Sequence, residues 1–84
     1  MTIPSLMDKP ALRAGSRVRL ERAAPDLWRV IDRGAVIIGH VQAVRRRGGV
    51  RFRAQRYHAP SSAFRDVGEF WRADDAVDAL LFSR

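Results

Sequence analysis

Three consecutive arginines, Arg45, Arg46 and Arg47, stand directly before Gly48 and Gly49, and the residues that follow alternate cleanly. From Val50 to His58, the residues Val50, Phe52 and Ala54 fall on one side of an extended chain, and Arg51, Arg53, Gln55 and Tyr57 on the other. A strand of that pattern buries its apolar side and displays two guanidiniums, an amide and a phenol. Guanidinium forks hold phosphate oxygens, Arg and Gln can also read base edges, and a phenol ring can stack on an unpaired base. The chemistry on offer is recognition of nucleic acid, with DNA favoured over RNA and duplex DNA as the form. Arg45, Arg46 and Arg47 would anchor phosphates, and Arg51, Arg53 and Gln55 would face a groove. The competing reading of the same residues is an ordinary solvated sheet face with a charged loop tip.

The composition points the same way. Sixteen Lys and Arg residues face nine Asp and Glu, for a formal charge of +7, and every basic residue except Lys9 is arginine. A positive surface attracts nucleic acid, anionic lipid or an acidic protein. Arginine codons in a GC-rich genome would give the same bias without a function. Catalysis finds little support, and the chain is not expected to be an enzyme, to hold a metal or to need a cofactor. It has no cysteine; His40 and His58 are its only histidines and lack partners at ligand spacing. Ser61 and Ser62 show no nearby base in sequence. Asp74, Asp75 and Asp78 read as a solvated helix face, and no glycine-rich phosphate loop is present. The longest apolar run, Ala35 to Ile38, is too short to span a bilayer, and no targeting segment is visible, so a cytoplasmic protein with no membrane partner is expected.

These groups need a scaffold, and 84 residues allow one domain. Residues 1–16 read as an N-terminal tail, with Pro4 and Pro10 blocking a helix and Gly15-Ser16 ending it. Residues 17–84 read as a single α+β domain: a four- to five-stranded antiparallel meander packed by one short C-terminal helix. Arg17–Glu21 and Leu27–Asp32 are predicted strands around a turn at 22–26, and Val36–Val44 is the most apolar strand. Arg45–Gly49 is a hairpin loop, Val50–His58 the arginine strand, and Phe64–Trp71 the last. Ala73, Ala76, Val77 and Leu80 recur at helical spacing, with Asp74 and Asp75 in the first turn. Trp28 and Trp71 are expected in the core.

The stretch 49–80 weakly resembles the plant ethylene-response-factor domain and the related arm-type DNA-binding domain of tyrosine integrases. The resemblance rests on Phe52-Arg53-Ala54, on Val67-Gly68-Glu69-Phe70, and on the acidic, alanine-rich helix start Ala73-Asp74-Asp75-Ala76-Val77. It implies a three-stranded antiparallel sheet packed on a helix, with Arg51, Arg53 and Gln55 entering the major groove. Strands preceding residue 49 and the Trp71-Arg72 pair before the helix depart from that pattern.

The rival functional class is a protein-interaction or accessory module, with a second copy of the chain as one candidate partner. Strand 36–44 carries Ile37, Gly39, Val41 and Ala43 on one side, but Val36, Ile38 and Val44 on the other, and one short helix covers only one side. Either the tail, through Ile3, Leu6, Met7 and Leu12, or a partner is expected to shield Val36, Ile38 and Val44.

Overall fold

Each segment with a period of two becomes a strand in the computed structural model, which describes residues 7–82. In chain order these are β1 (Val18–Ala24), β2 (Leu27–Asp32), β3 (Ile37–Arg46), β4 (Gly49–His58) and β5 (Ala63–Phe70), with a short 3-10 turn at Ala59–Ser61. The helix α1 (Ala73–Phe82) follows. The five strands form one sheet in the order β1-β2-β3-β4-β5, each antiparallel to its neighbour. The fold is thus the α+β meander read from the sequence, at its five-stranded limit.

The turns follow local chemistry. Pro25 and Asp26 connect β1 to β2, and β1 runs on through Ala24 with a register shift after Arg22, so the turn is tighter than the predicted 22–26 loop. Between β2 and β3, the Asp32 carboxylate accepts the backbone N–H groups of Gly34 at 2.8 Å and Val36 at 3.0 Å. That side chain closes the loop and puts the left-handed residue at Ala35, with φ 63°, one place after the glycine. The β3–β4 hairpin pairs Arg46 with Gly49 and leaves only Arg47 and Gly48 in the loop. The first two of the three arginines therefore belong to β3 itself.

The core lies on one face of the sheet. Val18, Leu20, Trp28, Val30, Val41, Ala43 and Ala54 are buried there against Ala76, Val77 and Leu80 of α1. Phe52, Val50, Val67 and Phe70 pack around them, as the alternation in β4 requires. Gly39 is where helix and sheet come closest. A Cβ there would run into the Gln55 carbonyl oxygen and lie 3.1 Å from both Leu80 methyl carbons.

The helix packs on β3, β4 and β5, and the tail fills the space beside it. Met7 and Leu12 pack against the same buried cluster. The Met7 N–H donates to the Pro25 carbonyl at 3.2 Å. Arg22 donates to the carbonyls of Pro25 and Met7 and lies over the Trp28 ring, 5.2 Å from its centroid. Arg13 fastens the tail to the helix. Its backbone N–H donates to Asp74 at 3.0 Å, and its guanidinium reaches Asp78 at 2.8 Å. These aspartates are therefore engaged, and are not the freely solvated helix face the sequence suggests.

The described part of the tail packs Met7 and Leu12 on the helix side, while Ile3 and Leu6, also expected to shield β3, lie outside the described residues. Two expectations are corrected here. A bulge between Val30 and Ile31, which pairs Ile31 with Ile37, turns Ile38 toward the main cluster, while Val36 precedes the strand and is 57 % exposed. Trp28 is fully buried, but Trp71 is 58 % exposed, just beyond the end of β5.

Gly39→Ala should destabilise the protein by about 1–3 kcal/mol, the usual cost of forcing a methyl into a packed site. Ala35→Gly should stabilise it by up to about 1 kcal/mol, because glycine adopts the left-handed conformation without a Cβ clash. Urea unfolding of both variants checks this; opposite signs of the two shifts are expected, and an unchanged Gly39→Ala midpoint would contradict the close helix seat.

Candidate nucleic-acid interface

The face of the sheet turned away from α1 carries the arginines of interest. Register fixes their rows. Gln42 of β3, Arg53 of β4 and Glu69 of β5 stand opposite one another, and the next row holds His40, Gln55 and Asp66. Tyr57 lies opposite Phe64. Arg51, Arg53, Gln55 and Tyr57 share this face, as their spacing requires.

The arginine triplet is divided by the pleat. Arg45 lies on the helix side with Ala43, and its guanidinium is 3.4 Å from the Met7 sulfur. Arg46 points to the opposite side. Arg47 occupies the loop tip, exposed and without an ion pair among the described residues. The three do not form a single anchor on one face. They surround the end of the hairpin.

Glu69 organises the arginines on the open face. Arg46 reaches from β3 across β4 and grips it with two hydrogen bonds, Nε to Oε1 at 3.0 Å and a terminal nitrogen to Oε2 at 2.6 Å. Arg53, directly opposite, adds a contact of 3.4 Å to Oε2. The hydrogen bonds from Arg46, helped by its charge and by Arg53, push the Glu69 pKa down to about 2, against partial desolvation. The same contact raises the Arg46 pKa. Gln55 donates to Asp66 at 3.0 Å.

Arg51 has a different neighbour. Its guanidinium lies over the Trp71 ring, 3.8 Å from the centroid, and its buried Nε has no hydrogen-bond partner. The ring also rests beside the hairpin loop, where a Cβ on either Gly48 or Gly49 would sit 3.7 Å from it. Arg51 and Trp71 form a cation–π stack at the rim of the sheet.

At the other end of β4 the surface becomes aromatic. His40 stacks on Phe64 with ring centroids 3.9 Å apart and an interplanar angle of 16°, and Tyr57 leans on Phe64 at 5.2 Å. Burial of the imidazole, and secondarily the charge of Arg29, lower the His40 pKa. His40 is a packing residue here. His58 is not isolated from Ser61: Nδ1 lies 2.7 Å from the Ser61 hydroxyl, so the expectation that this serine lacks a nearby base is corrected. When the same hydroxyl donates to the His58 carbonyl, 3.3 Å away, Nδ1 is the donor in the other contact, since one hydroxyl proton serves one acceptor. Among the described residues no group of His, Asp and Glu is arranged to hold a metal ion, and no helix is long and apolar enough to cross a membrane.

Sequence reasoning missed Glu69, Asp66 and Trp71 as members of this face. The signal was present. Counting by two from Phe70, which packs inward opposite Phe52, turns Glu69 and Trp71 outward. No protein-family model matches this chain, and neither a curated protein nor a solved structure does.

The low pKa of Glu69 gives a testable pH dependence. A carboxylate whose folded pKa lies below its ordinary 4.5 adds stability above pH 4.5, and that contribution disappears as pH falls through about 2. Glu69→Gln should therefore be less stable than the parent at neutral pH, with the gap closing on acidification across that window. Urea midpoints at several pH values measure it; a gap independent of pH would mean that the carboxylate is not held by Arg46 and Arg53.

Proposed function

We propose that this protein is a small nucleic-acid-binding module that contacts DNA through the hairpin end and open face of its sheet. The observation that carries the reading is the local imbalance of charge. Arg45, Arg46, Arg47, Arg51 and Arg53 gather around one hairpin, and among the described residues Glu69 is the only carboxylate that pairs with any of them. Phosphates are the natural counter-ions of such a surface, and each one bound releases condensed cations from the nucleic acid. Arg47 is free to engage phosphate at once. Arg46 and Arg53 share one carboxylate, which leaves donors for a second anion. The absence of cysteine suits the reducing cytoplasm, the proposed location.

Duplex DNA is the form the sequence favours, with Arg51, Arg53 and Gln55 facing a groove. Each of those side chains has a neighbour on the sheet: Trp71, Glu69 and Asp66 respectively. Base reading in a groove would require exchanging these contacts for base edges. Anchoring of the phosphate backbone requires no such exchange, and it supports sequence-tolerant binding first.

A protein-interaction role is the second reading, and one observation favours it. Val36 and the adjacent Ile37 are 57 % and 43 % exposed at the start of β3. A dimer burying them would sediment as such and dissociate on Ile37→Glu.

Retardation of a DNA duplex at low salt tests the proposal. With about four phosphates neutralised, the log–log slope of affinity against salt should be roughly −3 to −4. Replacing Arg45 and Arg47 together by Gln should make that slope shallower by about 2. No retardation of DNA at any salt concentration would end the proposal.

A further inference from the structure

Tryptophan is a costly residue to leave in water, and Trp71 is among the most exposed large side chains described. Its surroundings leave one particular surface open. Arg51 covers one face of the indole, and Gly48 and Gly49 lie against the outer edge of its six-membered ring. With Arg51 on one face and the residue still 58 % exposed, the geometry assigns most of that exposure to the other face. The ring is also held in place, because β5 ends at Phe70 and α1 begins at Ala73, with Phe70 packed into the core.

From this geometry we infer that the ligand on the open face is single-stranded nucleic acid, with an unpaired base stacked on the free face of Trp71. The inference rests on the nucleic-acid reading above and narrows its ligand class. A planar aromatic face backed by a guanidinium matches the π-face of any base, and such stacking needs no particular sequence. The bases of a duplex already stack on each other, and presenting one to Trp71 would mean pulling it out of the helix at a cost. The same face offers a second platform. Tyr57, 41 % exposed, lies six residues along β4 from Arg51, about 20 Å away at the rise of a strand. Between the platforms stand Arg53 and Gln55. A strand of a few nucleotides laid along β4 would meet an aromatic ring at each end and a guanidinium between them. That pattern of rings and cations is the one single strands use.

The chain carries its own reporter. Of its two tryptophans, Trp28 is fully buried, so a ligand that quenches the fluorescence acts at Trp71. The full chain is titrated at low salt with a labelled short oligothymidylate and, separately, with a blunt duplex of matched length. Anisotropy and intrinsic fluorescence are both recorded. The expected result is tighter binding of the oligothymidylate than of the duplex, with quenching of the tryptophan signal. Trp71→Ala should weaken single-strand binding roughly tenfold and duplex binding by clearly less. Trp71→Phe should restore most of the loss. Trp71 is exposed, so the variants should keep the parent's melting midpoint. Equal or tighter binding of the duplex, or single-strand binding indifferent to Trp71→Ala, would overturn the inference while leaving nucleic-acid binding intact. If neither ligand binds, the broader reading fails, and this one with it.

Discussion

Leu80 resting directly on the backbone of β3 at Gly39 is the contact on which the arrangement depends. A ten-residue helix can cover only part of a five-stranded sheet, so its seat decides which face becomes the core. The absence of a side chain at Gly39 lets α1 approach the central strand. Val77 and Ala76 then join Val41 and Ala54 in one buried cluster, and Met7 and Leu12 pack against it. One consequence is purely geometric. Everything that alternates out of phase with this core must stand on the opposite face. Arg51, Arg53, Gln55 and Tyr57 are displayed together because Phe52 and Ala54 are buried.

The electrostatics of that open face follow from a shortage of carboxylates. Acidic residues are used in local tasks. Asp32 closes a turn, Asp74 and Asp78 hold Arg13, and Asp66 accepts from Gln55. Among the described residues Glu69 alone pairs with the arginines of the hairpin end, and their hydrogen bonds and charge lower its pKa. Exposed ion pairs of this kind contribute little to stability. Their effect is positional: Arg46 and Arg53 are both held at Glu69, and the surface keeps an excess of positive charge. The stack of Arg51 on Trp71 is a second way of fixing a guanidinium, with an aromatic ring in place of an anion.

Much of this was legible from periodicity. The five strands, the helix and the orientation of β4 follow from a spacing of two or of 3.6, because burial of one face fixes phase. The misplaced residues lie where phase is broken. The bulge opposite Ile31 turned Ile38 inward and stranded Val36, and alternation carries no sign of an inserted residue. The apolar residues of the tail are legible, but the side they reach is not: Met7 and Leu12 join the helix-side cluster, and sequence does not say which side a tethered segment reaches. Trp71 was expected in the core on residue type alone, although its phase relative to Phe70 turns it outward. The arginine residues were found and their partners were not: Glu69 meets Arg46 only through the register of three strands.

The account places the ligand on the face opposite the helix, and a residue-resolved map of binding tests that most directly. NMR spectra of isotopically labelled protein, recorded during titration with an oligothymidylate at low salt, would provide it. The predicted result is that shifts move for the amides of Arg46, Arg47, Arg51 and Arg53 and for the indole N–H of Trp71. Those of Ala76, Val77 and the buried Trp28 indole should stay still. Shifts concentrated on α1 and the tail, with the arginine strand unmoved, would contradict it.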